Sequence, residues 1–442
     1  MKVAPLSHSA LCLLLLNVLL SCGTIPSMAR PQSADEHYGN GPVRFEDRTY
    51  VPNLRTVQLY KTGLPLSLPI MELRSPEGLE LHFDDLQPYA ENYSYTLVLC
   101  DSRWEPSDLM SGQYLVGAMT DYLPPGRLSF NTLQPYFHYS LQVPNDMMQV
   151  SRSGNYILKV FRGSDQDDVV LTRRFMVYET KVRIEAGVTA SRNVELRNSA
   201  QQVDLVVQHP ELQVNDPFSD IEVLVLQNGN WNTARPGMRP RFVRGTELIY
   251  DHPDQGLFPG NNEWRNFDVK DLRFKHQQVA RIMNGPQLTE VFLFPDEKRN
   301  IRTFFDRPDI NGRFLIGTAL DDNAFLGADY VNVHFTLPMD DRLAGGGVYV
   351  FGGLSDMQCR REMRMHWDEE RKLYHQTLLL KQGFYDYAYA FLPDGSNTAD
   401  LTRLEGSHFQ ADNEYLVLVY YMDYQQRSQR LVGMRVLNSR GG

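Results

Sequence analysis

The chain has 442 residues, of which 42% are hydrophobic and 11% aromatic, and its formal net charge is -10 at pH 7. Disordered chains are poorer in core-forming side chains, so this composition supports more than one packed core. The acidic balance argues against nucleic acid, whose phosphates need a basic stripe, and the absence of a basic block argues against adhesion to an anionic membrane surface.

The first segment reads as an address. Lys2 precedes an apolar run from Leu11 to Leu20, about ten residues against the ~20 that a bilayer-spanning helix needs. Leu19-Leu20-Ser21-Cys22 has the form of a bacterial lipobox, with Cys22 as the lipid-attachment site and first mature residue. Leu20 departs from the smaller or β-branched residue favoured there. Ser27-Met28-Ala29 offers the small-x-small pattern of an ordinary signal-peptidase site, so cleavage near Ala29 is the alternative. Both readings export the chain. Residues 1–21 are therefore read as a signal peptide of lipoprotein type, and 22–42, polar and rich in turn formers, as a tether.

From Val43 onward short strands follow one another. Tyr93, Tyr95, Leu97 and Leu99 share one face of a strand, and Val331 to Leu337 and Tyr385 to Phe391 also alternate. Period-two alternation is what a sheet with one buried face requires. Ile221 to Leu226 and Tyr415 to Tyr421 are apolar on both faces, which suits central strands. No helical stripe longer than two turns stands out. The expected fold class is all-β, with tandem β-sandwich domains of immunoglobulin-like or early-set-like type. The expected divisions are 43–180, 181–338 and 339–437, the first where Met176 to Thr180 hands over to Lys181, the second at Pro338-Met339-Asp340-Asp341.

Residues that carry chemistry are sparse. The 11 histidines show no ligand spacing, and there is no Cys-x-x-Cys, so no metal site is expected. Cys12 goes with the signal peptide. Cys100 and Cys359 read as buried structural thiols in different domains and not catalytic, with a disulfide between them as the alternative. The acidic pairs Asp84-Asp85, Asp167-Asp168, Asp321-Asp322 and Asp340-Asp341 read as solvated turns, where Asp bonds its own backbone, in preference to a glycosidase pair. Asp394-Gly395-Ser396-Asn397 reads as a hairpin turn lacking the other oxygen ligands of a calcium loop. The glycines at 345–347 and 352–353 bracket a strand; no Lys-Ser/Thr follows to hold a phosphate. The expectation is a protein without catalytic residues or cofactors.

Val348 to Gly352, Met365-His366-Trp367 and Leu378 to Tyr387 resemble the immunoglobulin-like early-set domains attached to glycogen-handling proteins. The sugar-binding members stack a glucose ring on exposed tryptophans. In this chain the corresponding loop, Gly353-Leu354-Ser355-Asp356-Met357-Gln358, has no aromatic, so a glycan-binding β-sandwich lipoprotein is the second reading.

A longer resemblance takes first place. Phe130 to Glu179 holds three strands with turn residues at Pro144-Asn145, Gly154-Asn155 and Gly163-Ser164. With Cys100 to Ser107, Val225 to Asn228, Glu247 to Tyr250, Asn261 to Asp268, Pro308 to Phe314 and Ala328 to Phe335, it resembles, in order, the plug proteins of the type IX secretion system of Bacteroidetes. Trp264-Arg265-Asn266 departs from the more aromatic strand expected there. The resemblance implies a periplasmic protein at the inner face of the outer membrane. It also implies a partner, the giant outer-membrane β-barrel translocon, whose periplasmic mouth the protein closes when no substrate is in transit. A lipid on Cys22 would add contact with the inner leaflet. The partner-binding residues stay unknown, because buried and exposed aromatics look alike in one chain.

Overall fold

The computed structural model describes residues 43–321 and 323–440. The expected signal peptide and tether, with Cys22 and Ala29, lie outside these residues. Among the described residues the chain is strand and loop, with α-helix confined to Pro217–Asp220, Ala324–Gly327 and Thr402–Glu405. The all-β expectation holds, and the sheets pair as β-sandwiches.

In the first sandwich one sheet runs Arg48–Thr49, Val169–Tyr178, Gly154–Arg162, Tyr93–Cys100, Asp121–Tyr122. The opposing sheet runs Leu54–Lys61, Leu79–Asp85, Phe137–Val143, Arg127–Leu128. Tyr93, Tyr95, Leu97 and Leu99 meet Leu79, Leu81 and Phe83 in the core between them, as the alternation requires. Gly154 is not in the turn but opens its strand at φ +150°, where an added Cβ would lie 2.9 Å from Leu99 Cδ1.

The second sandwich is closed by the end of the chain. Its first sheet orders Arg183–Ala190, Ala200–Gln208, Glu247–Tyr250, Phe242–Arg244. Its second orders Asn230–Met238, Ile221–Gln227, Glu414–Asp423, Ser428–Asn438. The third sandwich lies between these segments in sequence: Arg265–Asp268, Gly383–Pro393 and Gly346–Phe351 face Thr289–Leu293, Tyr330–Pro338 and Leu373–Lys381. The division at 338/339 is therefore corrected. Tyr330–Pro338 pairs with Leu373–Lys381, and Glu414–Asp423 returns to Ile221–Gln227. A contiguous reading of the chain had no local cue for that return.

The runs that are apolar on both faces explain how the sandwiches stack. Val223, Val225, Val417 and Val419 fill the second core. Their neighbours Leu224, Leu226, Leu416 and Leu418 pack against Ile70, Cys100, Ile157 and Met176 of the first sandwich. Four sheets thus lie face on face, with apolar side chains in every gap.

Candidate functional site

The unusual chemistry of this molecule is buried where the sandwiches meet. Leu79, Leu81 and Phe83 alternate into the first core, and the same parity carries Asp85 inward, where Tyr93 donates to its Oδ2 at 2.7 Å. His82 and Asp84 occupy the opposite face, toward the third sandwich. Asp84 accepts from Lys381 Nζ at 2.7 Å and Tyr330 OH at 2.8 Å, and His138 Nδ1 lies 2.7 Å from its other oxygen. Burial alone would raise the Asp84 carboxyl, but Lys381 and His138 hold it below its ordinary value. His82 Nδ1 lies 3.1 Å from His138 Nε2, and the Phe325 ring stacks on His82 at 4.2 Å. Burial, then His138, pulls His82 down to about 4. Lys381 also sits 4.1 Å from the Tyr136 ring and donates to Phe325 O. This network satisfies its charges from two sandwiches; Asp84 and Lys381 are each 1% exposed, while His82 and Phe325 border a surface groove beside Glu80 and Tyr122.

A second buried network lies inside the third sandwich. Arg265 donates to Glu405 and Asp296, Arg299 donates to Glu405, and Tyr387 and Tyr389 donate to Asp296. Burial opposes the charge on Glu405, but Arg265 and Arg299 hold it at about 2. The departure at Trp264-Arg265-Asn266 is thus an arginine placed in a polar core, with Trp264 itself buried.

A third group gathers Glu263, Asp309 and Asp386. Asp386 Oδ2 accepts from the backbone N–H of Ile310 and Gly312, and Asp309 Oδ2 accepts from Trp264 N–H. Burial pushes both Glu263 and Asp386 up to about 8, and Asp309 is raised as well. Carboxylates with raised values occur in glycosidases, but Glu263 and Asp386 are enclosed, 1% and 0% exposed. They fasten the loop 308–312 to its strands. Among the described residues no group of His, Cys, Asp and Glu is arranged to hold a metal ion.

Asp84-Asp85 requires a correction: it ends the strand Leu79–Asp85, with both residues buried. Asp167-Asp168 and Asp340-Asp341 do lie between strands, and Gly346–Phe351 is the strand that the glycines bracket. Cys100 and Cys359 are unpaired, and burial pushes each thiol up to about 12, which keeps it protonated. The loop 353–358 does not form a sugar platform: Gln358 donates to Asp47 O, and Asn232 donates to Met357 O. It is covered by the first two sandwiches. Trp367 packs beside the third core and donates to Glu369. The sequence reading missed Asp84, Lys381, Arg265 and Glu405. Only the parity of 79, 81, 83 and 85 was there to be read.

Trp104 and Trp231 pack edge to face at 4.8 Å between the first and second sandwiches, with the Arg174 guanidinium 4.6 Å from Trp104. Trp104, within the segment Cys100 to Ser107, is thus an anchor between sandwiches.

The family described as the type 9 secretion system plug protein 1st domain matches residues 54–179. Among solved structures, a hypothetical protein from Parabacteroides merdae ATCC 43184 superposes with a TM-score of 0.86 at 29% identity, over 90% of this chain and 100% of that chain. The native conformation of E. coli alpha-2-macroglobulin aligns with a TM-score of 0.17 at 8% identity, over 87% of this chain and 22% of that chain. No curated protein matches. The matched residues are those of the first sandwich, which is thus a first domain of the type 9 secretion system plug kind.

Proposed function

We propose that this protein is a non-enzymatic periplasmic plug that closes the periplasmic mouth of the type IX outer-membrane translocon when no substrate is in transit. The match of residues 54–179 to the plug first domain carries this reading. The packing supports it physically. A pore wide enough for folded cargo leaks small solutes, and occluding it takes a body that does not deform. The sandwiches here are joined by a continuous apolar layer and by a buried ion pair, so that moving one against another would expose apolar surface and an unpaired charge.

The direct test is purification of the tagged protein from native outer membranes with identification of what accompanies it. The translocon barrel is expected, chiefly in its substrate-free state, because plug and cargo compete for one lumen. Recovery without the barrel would contradict the reading. We further propose attachment to the inner face of the outer membrane through a lipid on Cys22. Mass spectrometry of the mature N-terminus decides this: an acylated Cys22 supports it, and an unmodified terminus at Arg30 contradicts it.

A further inference from the structure

In the first sandwich the chain passes from Arg127–Leu128 to Phe137–Val143 through a surface loop. From Leu128 to Phe137 it carries no Asp, Glu, Lys, Arg or His. Leu128 is 58% exposed, Phe130 73% and Leu133 62%. Singly exposed apolar side chains are ordinary on protein surfaces, and three on one short uncharged loop set this segment apart from them.

The loop is held in one shape from both ends. Within it, Ser129 N–H donates to Tyr136 O at 2.8 Å, Tyr136 N–H donates to Ser129 Oγ at 3.1 Å, and the Ser129 and Thr132 hydroxyls lie 2.8 Å apart. The remaining bonds come from the third sandwich. Phe130 N–H donates to Leu326 O at 2.9 Å. The Asp329 carboxylate accepts from Leu133 N–H at 2.7 Å and Gln134 N–H at 3.1 Å. Tyr136, fully buried, donates to Phe325 O and Ala328 O. The exposed side chains therefore stand on a fixed base and lose little conformational freedom on contact.

We propose that Leu128, Phe130 and Leu133 form the contact through which this protein docks on a protein partner that offers an uncharged apolar pocket. Resting on the plug reading, that partner is the periplasmic face of the translocon. The loop's lack of charge selects the chemistry. An anionic lipid or polynucleotide surface would find one cation in the adjoining sequence, Arg127, and the Asp329 carboxylate against the base of the loop, whereas a neutral apolar pocket meets no charged side chain from Leu128 to Phe137. The loop also lies within the residues matched to the plug first domain.

The test compares full-length wild type, F130S/L133S and Asp329→Ala in recovery of the translocon from native outer membranes. All three are checked for an unchanged melting temperature. The double variant is expected to recover at least about tenfold less translocon. Asp329→Ala keeps the apolar side chains but frees two N–H groups of the loop, and should show a smaller loss. I301S/F305S, exposed in another loop, should behave as wild type. If the double variant melts early, Phe130→Ser alone carries the comparison. If wild type and F130S/L133S recover the translocon equally, the surface is overturned and the plug reading stands. If wild type recovers none, the plug reading falls and takes this occupant with it. A wild-type dimer that the double variant dissociates in solution would give the surface to a second copy and overturn the assignment.

Discussion

Lys381 Nζ, from the third sandwich, lies 2.7 Å from Asp84 Oδ2, from the first, and each side chain is 1% exposed. An ion pair so placed matters most when half of it is removed, because the remaining charge has neither water nor partner. Lys381→Met is expected to lower stability by about 3–5 kcal/mol. Asp84→Asn combined with Lys381→Met should lie closer to wild type than Lys381→Met alone. Urea unfolding of these three proteins and of Asp84→Asn alone, followed by tryptophan fluorescence, measures the difference. An additive double variant would show that the pair does not couple the two sandwiches.

Asp386 supplies a pH dependence of definite sign. Its folded value of about 8, raised first by burial and then by Asp309, stands well above the ordinary 3.8. Between these values the folded chain keeps a proton that the unfolded chain has released. Stability from this group is therefore present at low pH and falls as pH rises toward about 8. Asp386→Asn stays neutral throughout and keeps an oxygen to accept from Ile310 and Gly312. It should be the more stable protein at pH 8, by on the order of 1–3 kcal/mol, with a flatter dependence between pH 4 and 8. Urea midpoints across that range check it; an unchanged slope would count against a buried, protonated Asp386.

Cys100 and Cys359, each pushed up to about 12, should resist alkylation at pH 8 in the native protein and react fully in urea. Reaction is expected to be slower in the native state by at least about a hundredfold, since only the rare thiolate attacks. Thiol counting by mass spectrometry before and after denaturation gives the answer. A disulfide between the two, or rapid native labelling, would contradict the packing described here.

Fold class was legible in the sequence because a sheet with one wet face writes its geometry into alternate residues, as Tyr93 to Leu99 does. Runs such as Leu416 to Tyr420, apolar on both faces, announced central strands. They could not say that one face would meet a different sandwich, and so the return of the last strands to Ile221–Gln227 stayed hidden. The buried charges were illegible for a related reason. Asp84 and Lys381 are about three hundred residues apart, and nothing local distinguishes an aspartate on a solvated turn from one that finds its lysine in another sandwich. Arg265 departs from the aromatic strand expected there because its partners, Glu405 and Asp296, come from distant parts of the chain.

The most direct test of the plugging account is the permeability of the outer membrane to a large antibiotic that normally cannot cross it. Three strains are needed: one lacking this protein, one lacking the translocon barrel, and one lacking both. The account predicts sensitivity in the first strain, with secretion substantially working, and a return to resistance in the third, where the open pore is gone. An intact barrier in the first strain, or a leak that persists without the translocon, would contradict it.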